Sequence, residues 1–182
     1  MGIIFDEWGC WYDVEPGTNP GFLYQQNTMR DAIVASVSLD IFHKYTYRIK
    51  MANIAQVVNV LQSMILTKGD KMVLTPTYHV FNMYKVHQDA EFIPVDYSSE
   101  EIANSDMGPV PSISVTASRK DGVINVAVTN TDLKAGQKFL LTWDSMPAKF
   151  SKDNVSASIL SAKNIADFNG FDKPALVSPE SF

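Results

Sequence analysis

Ile3-Ile4-Phe5-Asp6-Glu7-Trp8-Gly9-Cys10-Trp11 is the stretch on which the rest of the chain turns: an apolar triplet runs into two carboxylates, and two tryptophans follow with a glycine between them. Apolar residues at consecutive positions predict a strand buried on both faces, as in a parallel sheet. Such a strand ending in Asp-Glu needs a reason, because an unpaired carboxylate in apolar surroundings is costly or shifts its pKa. At the mouth of a parallel barrel the reason is catalytic, since side chains at the C-terminal strand ends point into the site. Glu7 would then aim a carboxylate at a sugar's anomeric carbon, and Trp8 and Trp11 would offer flat apolar faces to the ring. The competing reading is a strand-end acid held by a salt bridge, with both tryptophans in the core.

Working outward, residues 12–27 carry the turn signals Glu15-Pro16-Gly17 and Asn19-Pro20-Gly21 and predict a long loop shaping the mouth. Thr28-Met29-Arg30-Asp31 reads as a capping box opening a helix whose stripe holds Ile33, Val37 and Ile41. Residues 51–59 are the next strand or its mouth, where Gln56 offers a donor and an acceptor to a sugar hydroxyl. Lys68-Gly69-Asp70-Lys71 is a break, and Thr75-Pro76 is an N-cap followed by proline at the first helical position, with the helix expected to run to about Asp89. His43, near the end of the first helix, reads as a capping or surface group, and His79 and His87, eight apart with no acid at ligand spacing, read as surface or interface histidines.

After residue 95 the texture changes to a polar connecting loop and then to period-two alternation. Ile113, Val115 and Ala117 alternate with polar residues, Asp121-Gly122 signals a hairpin, and Ile124, Val126 and Val128 alternate on the return. Phe139, Leu141 and Trp143 predict a further strand, and Val155 to Leu160 another. Short alternating strands at this spacing predict a β-sandwich, with Trp143 in its core rather than as a carbohydrate platform.

The motifs Asp6-Glu7-Trp8-Gly9 with Trp11-Tyr12, "GTNPGFLYQQNTMRDAIVAS", "RIKMANIAQVVNVLQSMILT", "MVLTPTYHVFNMYKVHQDA" and "DFNGFDKPALVSP" are collinear across nearly the whole chain. Together they resemble the glycoside hydrolase family 51 α-L-arabinofuranosidases. The resemblance implies a retaining mechanism and an α/β plus all-β fold: the last two βα units of a (β/α)8 TIM barrel over residues 1–90, then a jelly-roll-like C-terminal β-sandwich over 91–182. It implies Glu7 as the catalytic nucleophile, Gln56 as an arabinose contact and Trp11 near the leaving group, with Trp8 beside them. It implies a homo-oligomer and an arabinose-containing oligo- or polysaccharide as partner. Asp6, on the opposite face of an alternating strand, would support structure. Such enzymes carry their acid/base in an Asn-Glu pair on an earlier strand, and none of the 182 residues forms such a pair. The expectation is a C-terminal fragment holding the nucleophile without the acid/base and inactive alone.

Hydrophobic residues at 46% and charged ones at 19% suit a soluble globular chain, and a net charge of −5 argues against nucleic acid as a partner. No apolar run approaches a membrane span, so no membrane partner is expected, and no signal peptide is visible, which points to the cytoplasm. The single cysteine, Cys10, rules out an intrachain disulfide and supplies no metal cluster; it reads as packing beside the nucleophile, and no cofactor is implied. Two other functions fit the same residues: a related glycosidase such as an endoglucanase or xylosidase, or a non-catalytic β-sandwich that binds a partner.

Overall fold

In the computed structural model the described residues are 1–103, 108–144 and 152–182. Strands β1 (Ile3–Trp8) and β2 (Ile49–Ile54) pair in parallel and are joined by helix α1 (Met29–Lys44). The expected double-sided burial of β1 is not seen: Ile3, Ile4 and Phe5 are 38%, 59% and 38% exposed, because among the described residues β2 is the one strand that pairs with it. Antiparallel β3 (Ile65–Lys68) and β4 (Lys71–Leu74) follow, turning at Gly69-Asp70, and lead into α2 (Pro76–Tyr84). The helix stops five residues before the expected end: a short 3-10 turn over Lys85–His87 carries the chain on, and Asp89 has φ 55.

Both helix starts follow the sequence. The Thr28 amide donates to Asp31 Oδ2 at 2.8 Å, closing the box from the acid side, and the Tyr78 amide donates to Thr75 Oγ1 at 3.4 Å with Pro76 beside it. Ala32 and Ala35 of α1 meet Val80 of α2 in the buried core, ringed by Trp8, Leu39 and Phe81. Alanines on this face let the two helices approach closely. The expected stripe is not the buried one: Ile33 and Val37 are half-buried and Ile41 is 49% exposed. Ala32, Ala35 and Ser36 are instead the residues covered by α2 and by a strand hairpin over residues 113–130.

The second half of the chain is mostly sheet. Strand β5 (Glu91–Ile93) pairs with β8 (Ile113–Lys120), which forms a hairpin with β9 (Val123–Asn130). That hairpin turns at Asp121-Gly122, both at positive φ, as a two-residue type I′ turn requires. Two short antiparallel pairs complete the set: β6 (Glu101–Ile102) with β7 (Val110–Pro111), and β10 (Ser158–Leu160) with β11 (Pro179–Ser181). The strand expected at Phe139, Leu141 and Trp143 is not formed: among the described residues, 138–144 pair with no strand, and Leu140 is 86% exposed. The one expected from Val155 begins only at Ser158.

The chain then returns to its first half. Asp167 and Ile165 carbonyls accept from the Met29 and Arg30 amides at 2.9 and 3.0 Å, satisfying two N–H groups that the first turn of α1 leaves open. Asn169, fully buried, donates from Nδ2 to the Leu74 and Val177 carbonyls at 2.8 Å each, and its Oδ1 accepts from the Val177 amide at 2.7 Å. Asn169→Ala strands these three backbone groups in a dry site. A loss of about 3 kcal/mol is expected in urea unfolding, and an unchanged midpoint would show that the return segment is not held this way.

A polar seam joins the helices to the β8–β9 hairpin. Asp40 accepts from Tyr84 at 2.8 Å and Ser114 at 2.6 Å, while Ser36 bonds Tyr84 at 2.7 Å and also Thr129. His87, expected as a surface or interface group, is buried where the helical segment meets β8, with Nδ1 2.7 Å from Ser118 Oγ and its ring 5.1 Å from that of His43. Burial, then the neighbouring His43 charge, lowers the pKa of His87 to about 4, and burial pushes Asp40 up to about 6. The His87 contribution to stability is therefore present above its ordinary value of 6.5 and is lost as pH falls through about 4. That of Asp40 has the opposite sign, being lost as pH rises through about 6. A His87→Asn chain, whose amide still reaches Ser118, isolates the first effect. Between pH 7 and pH 4 its melting temperature should fall less than that of the wild type, and parallel curves would remove His87 as a cause.

Candidate functional site

Glu7 sits one residue before the end of β1, inside an irregularity of the parallel register. Phe5 pairs with Ala52 and Trp8 with Ile54, so β1 uses one more residue than β2 over this interval. An extra residue of this kind re-aims side chains, and such bulges gather beside functional sites. Glu7 is exposed, as is Asp6. The Ala55 amide donates to the Trp8 carbonyl at 2.9 Å, tying the ends of the two strands together, and Gln56 follows, exposed, across a cis peptide. Glu7 and Gln56 thus emerge at the same C-terminal edge of the parallel pair. The tryptophans part company here. Trp8 turns to the helices, stacked on Phe81 with ring centres 6.0 Å apart and edge-on to Phe42 at 5.2 Å. The flat face expected for a sugar at Trp8 is therefore taken up by Phe81, because the residue after Glu7 points to the helical side. Trp11 is 65% exposed and borders a shallow groove with Tyr12, Asp13 and Val14.

The Trp11 turn is held from behind by a residue that the sequence reading passed over. Gln25, 2% exposed, accepts from the Tyr12 amide at 2.8 Å and donates to the Cys10 carbonyl at 3.2 Å, spanning Trp11 as a strand partner would. Tyr12 lies under Arg30, whose guanidinium carbon is 3.5 Å from the ring centre. The Cys10 thiol is pushed up by burial and bonds Tyr12. Gln62, also 2% exposed, lays its carboxamide against Gly9, and Asn27 bonds the Gln62 carbonyl at 2.8 Å and Thr77 Oγ1 at 2.7 Å. The legible signal was the amide run Gln25-Gln26-Asn27 directly before the helix cap, where unbroken polarity in a mouth loop asks for buried partners. Among the described residues no group of three or more His, Cys, Asp or Glu side chains converges as metal ligands, and no helix is long and apolar enough to cross a membrane.

The family model for the α-L-arabinofuranosidase C-terminal domain matches residues 6–182, and the chain belongs to that family. It is 54% identical, over its whole length, to an intracellular exo-α-L-arabinofuranosidase of Bacteroides ovatus, of which it covers 35%. Among solved structures it is similar to the GH51 arabinofuranosidase of Xanthomonas axonopodis pv. citri, with a TM-score of 0.83, 42% identity, and coverage of 100% of this chain and 36% of that one. The family 51 α-L-arabinofuranosidase AbfB of Bifidobacterium longum shares the fold, with a TM-score of 0.82 at 23% identity over 98% of this chain and 37% of that one. The chain spans about a third of the length of the relatives it matches.

Proposed function

We propose that this chain supplies the nucleophile half of a retaining α-L-arabinofuranosidase that releases terminal non-reducing α-L-arabinofuranosyl residues from arabinan or arabinoxylan. The observation that carries the reading is the exposed Glu7 on the irregular end of β1, beside Gln56 on the neighbouring strand. In this reading residues 1–90 are the seventh and eighth βα units of a TIM barrel, and residues 91–182 contribute its C-terminal β-sandwich. The Glu7 carboxylate attacks the anomeric carbon and the glycosidic C–O bond breaks, its electron pair leaving with the aglycone oxygen. A carboxylic acid from residues outside this chain gives that oxygen its proton. Water then attacks the arabinosyl ester, the same outside carboxylate takes the water's proton, and Glu7 is released with retained stereochemistry; the two carboxyls stand about 5–5.5 Å apart in retaining enzymes.

Gln56 bonds the arabinose hydroxyls, Trp11 borders the leaving-group side, and Trp8 supports the strand end from the helical side. The assembled enzyme works inside the cell, as the name of the Bacteroides relative indicates for that protein, and as a homo-oligomer. An activated substrate separates this chain's share from the missing one, because a dinitrophenolate leaves without a proton. Incubation with 2,4-dinitrophenyl α-L-arabinofuranoside should add one pentosyl unit to the peptide carrying Glu7. A pentosyl unit on another carboxylate would overturn the assignment.

A further inference from the structure

We propose that a second groove, lined by Tyr24, Gln26, Lys68, Lys71, Phe168 and Asp172, binds further pentosyl units of a neutral arabinose-containing polymer on the leaving-group side of Trp11; this rests on the function proposed above. The groove encloses about 430 Å³, within the range of about 300–1,000 Å³ usual for small-molecule sites. Its floor is the buried Leu66.

Three held segments build it. The first is the β3–β4 hairpin, whose paired ends carry Lys68 and Lys71. The second is the turn after Asn169, closed by reciprocal backbone bonds between Gly170 and Lys173 at 3.2 and 3.1 Å and pinned to Leu74 by the Asn169 amide. Gly170 lets the walls close in: a Cβ there would stand 3.1 Å from Asp172 Oδ1 and 3.4 Å from the Phe168 ring. The third is Tyr24-Gln25-Gln26. Tyr24 bridges to Leu61, and its hydroxyl donates to Gln26 Oε1 at 3.2 Å. Gln25 between them turns the other way, into the Cys10 carbonyl and the Tyr12 amide. One extended segment therefore has the Trp11 turn on one side and the groove on the other.

The lining selects the ligand class. Phe168, 42% exposed, presents its ring at the groove. Aromatic faces accept the C–H side of a sugar ring, while the amide, ammonium and carboxylate groups supply donors and acceptors for its hydroxyls. The lining carries Asp172 as well as Lys68 and Lys71, a mixed set of donors and acceptors that suits a polyhydroxylated chain.

The test is an amide NMR titration of the 182-residue chain with linear α-1,5-arabinopentaose, in parallel with pentagalacturonate. Shifts are expected at Lys68–Lys71 and Phe168–Asp172. Phe168→Ala and, independently, the surface change Lys68→Ala should each weaken binding by about fivefold or more, while Trp11→Ala leaves the groove shifts in place. Shifts confined to residues 11–14, unchanged affinity in both groove variants, or preference for the galacturonate would overturn the proposal. Loss of groove binding with pentosyl labelling of Glu7 intact removes this inference alone. Groove binding without labelling removes the hydrolase reading and leaves a carbohydrate-binding groove.

Discussion

A Glu7→Gln chain is expected to take up no pentosyl unit from 2,4-dinitrophenyl α-L-arabinofuranoside and to release dinitrophenolate at the rate of buffer. Glutamine matches glutamate in shape and stays exposed at this position, so β1, its register with β2 and the Trp11 turn should survive, as a superimposable circular dichroism spectrum would show. What the change removes is the anionic oxygen that forms the ester. Removing a nucleophile in other hydrolases costs up to about 10⁶-fold in rate. Because the activated aglycone leaves without a proton, absence of the acid/base cannot mask the result. Dinitrophenolate release at the wild-type rate by the Glu7→Gln chain would mean that the attacking group is water or another side chain.

The sequence disclosed the features whose hydrogen bonds close locally. Thr28 to Asp31, Thr75-Pro76 and Asp121-Gly122 each specify a cap or turn within four residues, and each is formed where it was expected. The parallel relation of β1 and β2 was legible because an apolar run, a long helix and a second apolar run leave a crossover as the simplest connection. Alternation without a partner was the weak signal. Phe139, Leu141 and Trp143 alternate as well as Val126 and Val128 do, yet only the latter face a strand, because a strand is defined by what pairs with it and not by its own period. The full burial of His87 was hidden for a related reason. His87 carries no local mark of its burial, which comes from β8, some thirty residues later, offering Ser118. At the site, Glu7, Gln56 and Trp11 were named from the residues and the resemblance. Trp8 was misjudged because adjacent strand positions face opposite ways, and the amides that hold the turn drew no attention because glutamine is ordinarily a surface residue.

Gly9→Ala is the change expected to do most damage with the fewest atoms. Gly9 has φ +145°, a conformation that L-residues rarely adopt, and it comes two residues after Glu7 and two before Trp11. A Cβ at this position would stand 1.8 Å from Gln62 Nε2 and 3.6 Å from the Ala55 carbonyl oxygen. Gln62 is buried, and Asn27 holds its backbone carbonyl; its Nε2 has no hydrogen-bond partner among the described residues, so packing around the side chain is what resists the shift. Either the glutamine is driven out of a dry pocket or the backbone rotates toward negative φ and carries Glu7 and Trp11 with it. Backbone strain alone is worth about 1–3 kcal/mol, and forcing a Cβ against the buried Gln62 side chain adds about 1–3 kcal/mol as overpacking does. A loss of about 4 kcal/mol in unfolding free energy is expected from Gly9→Ala. Relieving the clash with Gln62→Ala in the same chain should recover part of it and leave the φ component behind. If Gly9→Ala melts with the wild type and Glu7 still takes the pentosyl label, the close approach of Gly9 to Gln62 does not position the nucleophile. A double variant no more stable than Gly9→Ala alone would assign the whole cost to the backbone.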